Sequence, residues 1–171
     1  MRSTNKTNNS YFYPAFSAVT AAKSTKPVIV IDKIKNADNQ VYAVISYEPN
    51  RNYLLMKWIG YATEEQVKIA SLRMLDWQRQ NGIRLGCKFH VHDTKELESA
   101  WAGLVDWINN DFFPLNHQYG LRYNISLLSP DLFSKLSSLA LSKKHNVKVP
   151  TVLCETLSQA EKWLTEKYNE L

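Results

Sequence analysis

Four times in this chain an apolar run of strand length ends at a helix-start signal and gives way to an amphipathic stretch. The starts are Thr63-Glu64-Glu65-Gln66, Asp93-Thr94-Lys95-Glu96, Ser129-Pro130 and Thr156-Leu157-Ser158-Gln159. A Ser, Thr or Asp at such a position accepts from the free N–H groups of the first turn, and a Glu or Gln three residues on accepts from the cap's own N–H. Proline just after the cap costs nothing, because that N–H has no helical partner. A helix between two strands carries the chain back to the same end of the sheet, so serial strand–helix units dictate parallel strands.

The remaining elements follow from turn chemistry and periodicity. Val41–Tyr47 and Tyr53–Ile59 are strand-like and are joined by Glu48-Pro49-Asn50-Arg51-Asn52, which predicts a hairpin. Thr63 opens a helix that Asn81-Gly82 is expected to stop. Arg84–His92 reads as the next strand. A helix from Lys95 to Asn110 follows, with Trp101, Leu104, Val105, Ile108 and Phe112 on one face and Pro114 beyond it. Leu121–Leu128 is a strand. In the helix after it, Leu132, Phe133, Leu136, Leu139 and Ala140 form the apolar face. Lys148–Cys154 is the last strand and Leu157–Tyr168 the last helix. The order is ββαβαβαβα: an α/β fold with a mostly parallel, mixed, five-stranded sheet and helices mainly on one face. The domain spans residues 40–171. Residues 1–39 read as an N-terminal tail, flexible or wrapping, in which Val28–Ile31 is a short strand-like run.

Strand parity says more. Leu85, Cys87, Phe89 and Val91 alternate with Gly86, Lys88, His90 and His92, and Leu121, Tyr123, Ile125 and Leu127 alternate with Arg122, Asn124 and Ser126. A strand buried on both faces is apolar throughout. The alternation therefore predicts that helices cover the apolar side and that the polar side is open, dimerised, or covered by the segment Tyr11–Phe16.

Composition excludes several classes of function. At 171 residues and 44% hydrophobic content the chain has enough apolar surface for one real core. No apolar run approaches the roughly 18 residues of a membrane span. The net charge of +5 is carried partly by residues 1–50, with six Lys/Arg against three Asp/Glu, and no basic stripe accompanies it, so nucleic acid is not an expected partner. Cys87 and Cys154 are the two cysteines and form no disulfide framework; they read as reduced core thiols. The stretch Tyr11–Ala22 is broken by Pro14, Ser17 and Thr20 and does not read as an export signal, so the expected location is cytoplasmic.

Trp58-Ile59-Gly60-Tyr61, Asp93-Thr94, Trp101 and Trp107, Phe113-Pro114, Gly120-Leu121-Arg122-Tyr123 and Ser129-Pro130-x-x-Phe133-Ser134-x-Leu136-Ser137, together with the element order, resemble the STAS/SpoIIAA-like family. The match is to a group of uncharacterised STAS-like proteins of Bacteroidetes and covers residues 40–171. It implies the SpoIIAA-like fold, a bacterial cytoplasmic setting, and a protein-interaction module in signalling or regulation. Better-known members are anti-sigma factor antagonists phosphorylated on a Ser or Thr at a helix start. That points to Thr94 and Ser99 as phosphoacceptors, although the Asp-Ser-Ser-Gly-Leu-Gly-like run of those regulators is missing here.

Read as chemistry, His90 and His92 share one side of a strand and form a metal-like pair, but a site needs a third ligand and only His117 and His145 remain. No metal, cofactor or catalytic residue is assigned, and the chain is not expected to be an enzyme; a metal-dependent enzyme is the weakest reading. Lys88, His90, His92, Arg122 and Asn124 lie on the polar side and make the candidate interaction face for a protein partner or a homodimer. Trp107, Phe112 and Phe113 are the candidate groove for a small, apolar or lipid-like ligand.

Overall fold

A computed structural model of the protein describes residues 25–145 and 147–171; the segment Tyr11–Phe16 lies outside them. Six strands form one sheet whose spatial order is the chain order: β1 (Ile29–Lys35), β2 (Val41–Glu48), β3 (Tyr53–Gly60), β4 (Phe89–Leu97), β5 (Tyr123–Leu127) and β6 (Thr151–Cys154). β1–β2 and β2–β3 pair antiparallel, and β3 to β6 run parallel. The sheet thus has one strand more than the sequence implied. Residues 29–35, read as tail, pair with β2 and begin the sheet before Gln40.

Handedness fixes where the helices go. Three successive right-handed crossovers, each stepping to the next strand in the same direction, must all pass over the same face. These are α1 (Glu64–Leu85), a helical segment α2 over 102–118, and α3 (Leu132–Ser142). The last helix, α4 (Leu157–Tyr168), follows the final strand and is free to cover the opposite face. Two cores result. Ala43, Ile45, Leu54, Met56 and Trp58 meet Val67, Ala70 and Met74 of α1 and Phe112 and Phe113 of α2. On the other side Phe89, Val91, Ile125 and Leu127 meet Ala160 and Leu164 of α4.

This placement reverses the expectation for the polar side. Among the described residues, Phe89 and Val91 of β4 and Ile125 and Leu127 of β5 have only α4 over them, while Leu97 at the end of β4 packs with the crossover helices. The polar positions His90, Asn124 and Ser126 lie beneath the three crossover helices and are buried. Parity separated the two sides within the paired strands but misplaced Leu85, Cys87 and Leu121, which precede them and pack with the crossover helices. It also could not say which side received more helices, because handedness decides that.

Five boundaries moved. α1 is capped by Thr63 and Gln66 as expected, yet it runs through Asn81-Gly82 to Leu85. Its stop is Gly86, at φ 64°, whose N–H bonds to the carbonyls of Gly82 and Ile83. Gly82 serves instead as a point of close approach: a Cβ there would lie 2.2 Å from Gln78 Nε2 and 2.3 Å from the Tyr119 carbonyl oxygen. β4 starts at Phe89 and continues through Asp93-Thr94-Lys95-Glu96 to Leu97. Asp93 caps no helix; its Oδ1 accepts from the Lys95 N–H at 3.2 Å within a strand whose register against β3 shifts between Lys57 and Ile59. A bulge and an N-cap share this local bond, and a Lys57–Glu96 ion pair at 2.8 Å ties the segment to β3.

α2 therefore starts later, and it is irregular. A 3₁₀ turn (Ala102–Leu104) leads through one α turn (Val105–Trp107) into a π turn (Ile108–Phe112), then α turns (Phe113–Gln118). Pro114 does not close it. The widened turn stands just before the residue that lacks an N–H for the helical ladder. The predicted stripe holds, since Trp101, Val105, Ile108 and Phe112 are all buried. In α3 the predicted stripe fails: Ser134, Ser137, Ser138 and Leu141 face inward, while Leu132, Phe133 and Leu136 are exposed. Serine is small enough to let the helix sit close on the polar sheet positions, and Ser138 Oγ lies 3.3 Å from Ser126 Oγ.

Candidate functional site

Between the sheet and the crossover helices lies an internal cavity of about 40 Å³. Its floor is His92 and Thr94 of β4 with Asn124 and Ser126 of β5. The adjacent pairing of the strands, His92 beside Ser126 and His90 beside Asn124, brings these side chains together. Its walls are Trp58 of β3, Val67 and Ser71 of α1, Trp101, Ile108, Phe112 and Phe113 at and within α2, and Leu141 of α3. Among the described residues no Asp, Glu, Lys or Arg lines it.

The histidines are held neutral. Gln78 Nε2 donates to the Cys87 and Tyr119 carbonyls at 2.9 and 3.0 Å, which orients its amide and leaves Oε1 3.2 Å from His90 Nε2. That oxygen can only accept, so the His90 proton sits on Nε2 and Nδ1 is left without a partner. Burial, then the neighbouring His92, pushes the His90 pKa well below its ordinary value. His92 Nδ1 accepts from the Trp58 indole N–H at 3.4 Å, which places its proton on Nε2. Burial pushes His92 down to about 4. Among the described residues, two buried polar atoms of the lining also have no partner: the indole Nε1 of Trp101 and Oδ1 of Asn124.

The sequence-predicted residues divide accordingly. Of the interaction face, His92 and Asn124 line the cavity and His90 lies buried next to it, so none of the three offers a docking surface. Lys88 and Arg122 precede their strands and sit apart: Lys88 Nζ is 6.0 Å from the Tyr168 ring centroid, and the Arg122 guanidinium donates to the His117 and Leu121 carbonyls. Phe112 and Phe113 of the predicted groove do line the cavity. Trp107 does not; it is partly buried, 5.5 Å from the Phe112 ring, with Lys68 Nζ 5.0 Å from its own centroid.

Thr94 and Ser99 stand at no helix start. Both are buried, and their hydroxyls donate to the Leu127 and Ala62 carbonyls. Among the described residues no three His, Cys, Asp or Glu side chains are grouped to hold a metal ion. Both cysteines are unpaired, and burial pushes the Cys87 thiol up to about 12. Sequence reasoning missed Trp58 and Trp101 as cavity residues. Trp58 could have been found, because it shares strand parity with Leu54 and Met56. Trp101 could not, because the helix assigned to it begins elsewhere.

From β2 onward the element order is ββαβαβαβα, the order on which the resemblance in the sequence rests. It is the order that the resemblance to the SpoIIAA-like fold implies. No protein-family model matches the chain, and no curated protein matches it. A solved structure to which it is similar is described as an uncharacterized protein from the DUF3478 family with a SpoIIAA-like fold, from Shewanella loihica PV-4. That match has 16% sequence identity and a TM-score of 0.41, and covers 84% of this chain and 99% of the other. Among the described residues, no helix is long and apolar enough to cross a membrane.

Proposed function

We propose that this domain binds a small uncharged molecule in the cavity between the sheet and the crossover helices. The observation that carries the reading is the pair of unpartnered atoms, the Trp101 indole N–H and Asn124 Oδ1. Each costs roughly 1–3 kcal/mol while it lacks a partner. A molecule presenting an acceptor to the first and a donor to the second relieves both, and the aromatic walls suit an apolar remainder. The lining offers no counter-charge, which favours neutral ligands over ions. A volume of about 40 Å³ holds a few water molecules, at roughly 10–15 Å³ each by the same measure. A larger ligand must therefore displace part of the cover, and α2, with its mixed turns, is the least regular part of it.

The test uses two-dimensional amide and indole NMR, in which Trp58 and Trp101 report directly. Short-chain amides and alcohols should shift the Trp101 indole resonance saturably, and the matching carboxylates and ammonium ions should not. Asn124→Leu should weaken binding about tenfold, the worth of one hydrogen bond to a buried group. A Trp101 resonance unmoved by every uncharged probe refutes the proposal.

A protein-interaction role, with the cytoplasmic signalling setting implied by the resemblance, is the second reading. It moves from the sheet face to α3. Leu132, Phe133 and Leu136 are 61%, 63% and 52% exposed along one face of that helix, which supports docking of a partner there.

A further inference from the structure

The first strand presents an edge of a kind that folded proteins usually blunt. β1 pairs only with β2, so its outer N–H and C=O groups have no strand partner among the described residues. Natural edge strands are protected by inward charges, lysines, bulges or a covering element. The second half of β1 is blunted in this way, by Asp32, Lys33 and Lys35 and by register shifts after Val30 and Ile34. The run Pro27-Val28-Ile29-Val30-Ile31, however, carries no charge, and its Val28, Ile29, Val30 and Ile31 are 52%, 49%, 54% and 37% exposed. The apolar surface continues onto α1. An Arg73–Asp32 ion pair at 3.6 Å ties that helix to the strand, and Ile69 and Leu72 beside Arg73 are also exposed. The strand is held in place from within: the Lys26 backbone exchanges two hydrogen bonds with the Asn50 side chain, at 2.8 and 2.7 Å.

We infer that β1 is a dimerisation edge, and that a second copy of this chain pairs with it antiparallel about a two-fold axis to continue the sheet. The sequence from Lys26 to Asp32, which runs from the segment just before β1 into the strand, is self-complementary in that arrangement, and the pairing would extend β1 back to Lys26. With the axis at Ile29, Val28 of each copy faces Val30 of the other, and Pro27 faces Ile31. Lys26 then faces Asp32 twice, so opposite charges meet at both ends of the apolar run. A two-fold interface uses one patch on both subunits, so each complementary contact counts twice. Proline suits such a strand only near its beginning, where Pro27 stands.

The experiment is light scattering and sedimentation of the full chain over a wide concentration range, with hydrogen exchange of the β1 amides. The expected mass is twice 19.8 kDa, with β1 protection that falls on dilution. Val30→Lys should return the mass to that of one chain. Because that change touches the strand itself, Lys26→Glu serves as the second variant. It lies on an exposed residue, should weaken association about tenfold by setting like charges opposite each other twice, and should be rescued by adding Asp32→Lys. A species of 19.8 kDa at all concentrations overturns the inference. So does protection of β1 that ignores dilution, which assigns the edge to a segment of the same chain. A dimer abolished by Phe133→Ser but untouched by Val30→Lys and Lys26→Glu also overturns it, since α3 would then be the interface.

Discussion

Acidification should destabilise this protein through His90, which is buried, and His92, which is partly buried, and the loss assignable to His92 can be worked out. Burial holds the folded-state pKa of His92 at about 4, against 6.5 for the unperturbed ring. The unfolded chain therefore takes up a proton between these values that the folded chain refuses. Stability is then complete above about pH 6.5 and declines as the pH falls toward 4. At 1.36 kcal/mol per pKa unit, the contribution lost relative to neutral pH is about 1 kcal/mol at pH 6 and about 2 kcal/mol at pH 5. His90 acts in the same direction, since its pKa is also lowered by burial. The structure adds a reason why His92 resists the proton. Its Nδ1 accepts from the Trp58 N–H, and a protonated ring would turn a donor toward that donor. The assay is urea unfolding followed by tryptophan fluorescence at pH 8, 7, 6 and 5, for the wild type and His92→Asn. Carboxylate contributions are shared by both proteins and cancel in the difference. The wild type should lose about 2 kcal/mol more than the variant between pH 8 and pH 5. A difference below about 0.5 kcal/mol, within the usual error of such extrapolations, would show that His92 is not buried neutral and would remove the uncharged floor from the proposed site.

Two further outcomes follow from positions that the sequence misassigned. Gly82→Ala should destabilise by about 2 kcal/mol in thermal or urea unfolding, because the new methyl group meets the Gln78 amide and the Tyr119 carbonyl, and the roughly 1 kcal/mol of added helix propensity does not offset that overlap. Thr94→Asp should cost about 3 kcal/mol or more by burying an unpaired carboxylate, whereas Thr94→Val should cost only about 1 kcal/mol for the lost hydrogen bond to Leu127; equal effects of the two would contradict the burial of that hydroxyl.

The sequence was most informative where a local signal had one structural meaning. The hairpin turn, the capping boxes of Thr63 and Thr156 and the ββαβαβαβα order all appear as read. It misled where one signal serves two structures. Asp93 bonding to the N–H two residues on belongs equally to a helix start and to a bulged strand, and pairing with β3 chose the strand. Asn81-Gly82 looks like a helix stop, but only the fold brings the Tyr119 carbonyl against that glycine. The amphipathic pattern of α3 was legible, and the side it buries was not: the polar floor beneath selects serine over leucine. The cavity was half legible. Parity grouped His92, Asn124 and Ser126, and Phe112 and Phe113 were read as groove residues, but the π turn that sets their position left no pattern to read, and Trp58 and Trp101 were not recognised as walls.

The strictly sequential order of the strands bears on how the chain is made. No strand has to insert between two that are already paired, so each new one can dock on the edge completed before it as the polypeptide leaves the ribosome. Every contact between neighbouring strands spans at most one crossover, which keeps the loops to be closed short for a parallel sheet. The exception is the second layer. Among the described residues, Phe89, Val91, Ile125 and Leu127 receive helical cover only from residues 157–168, which leave the ribosome after the six strands. Until then the nascent domain carries an aromatic and aliphatic face bare on one side, and the interval before α4 docks is when this protein is most exposed to chaperones and to aggregation.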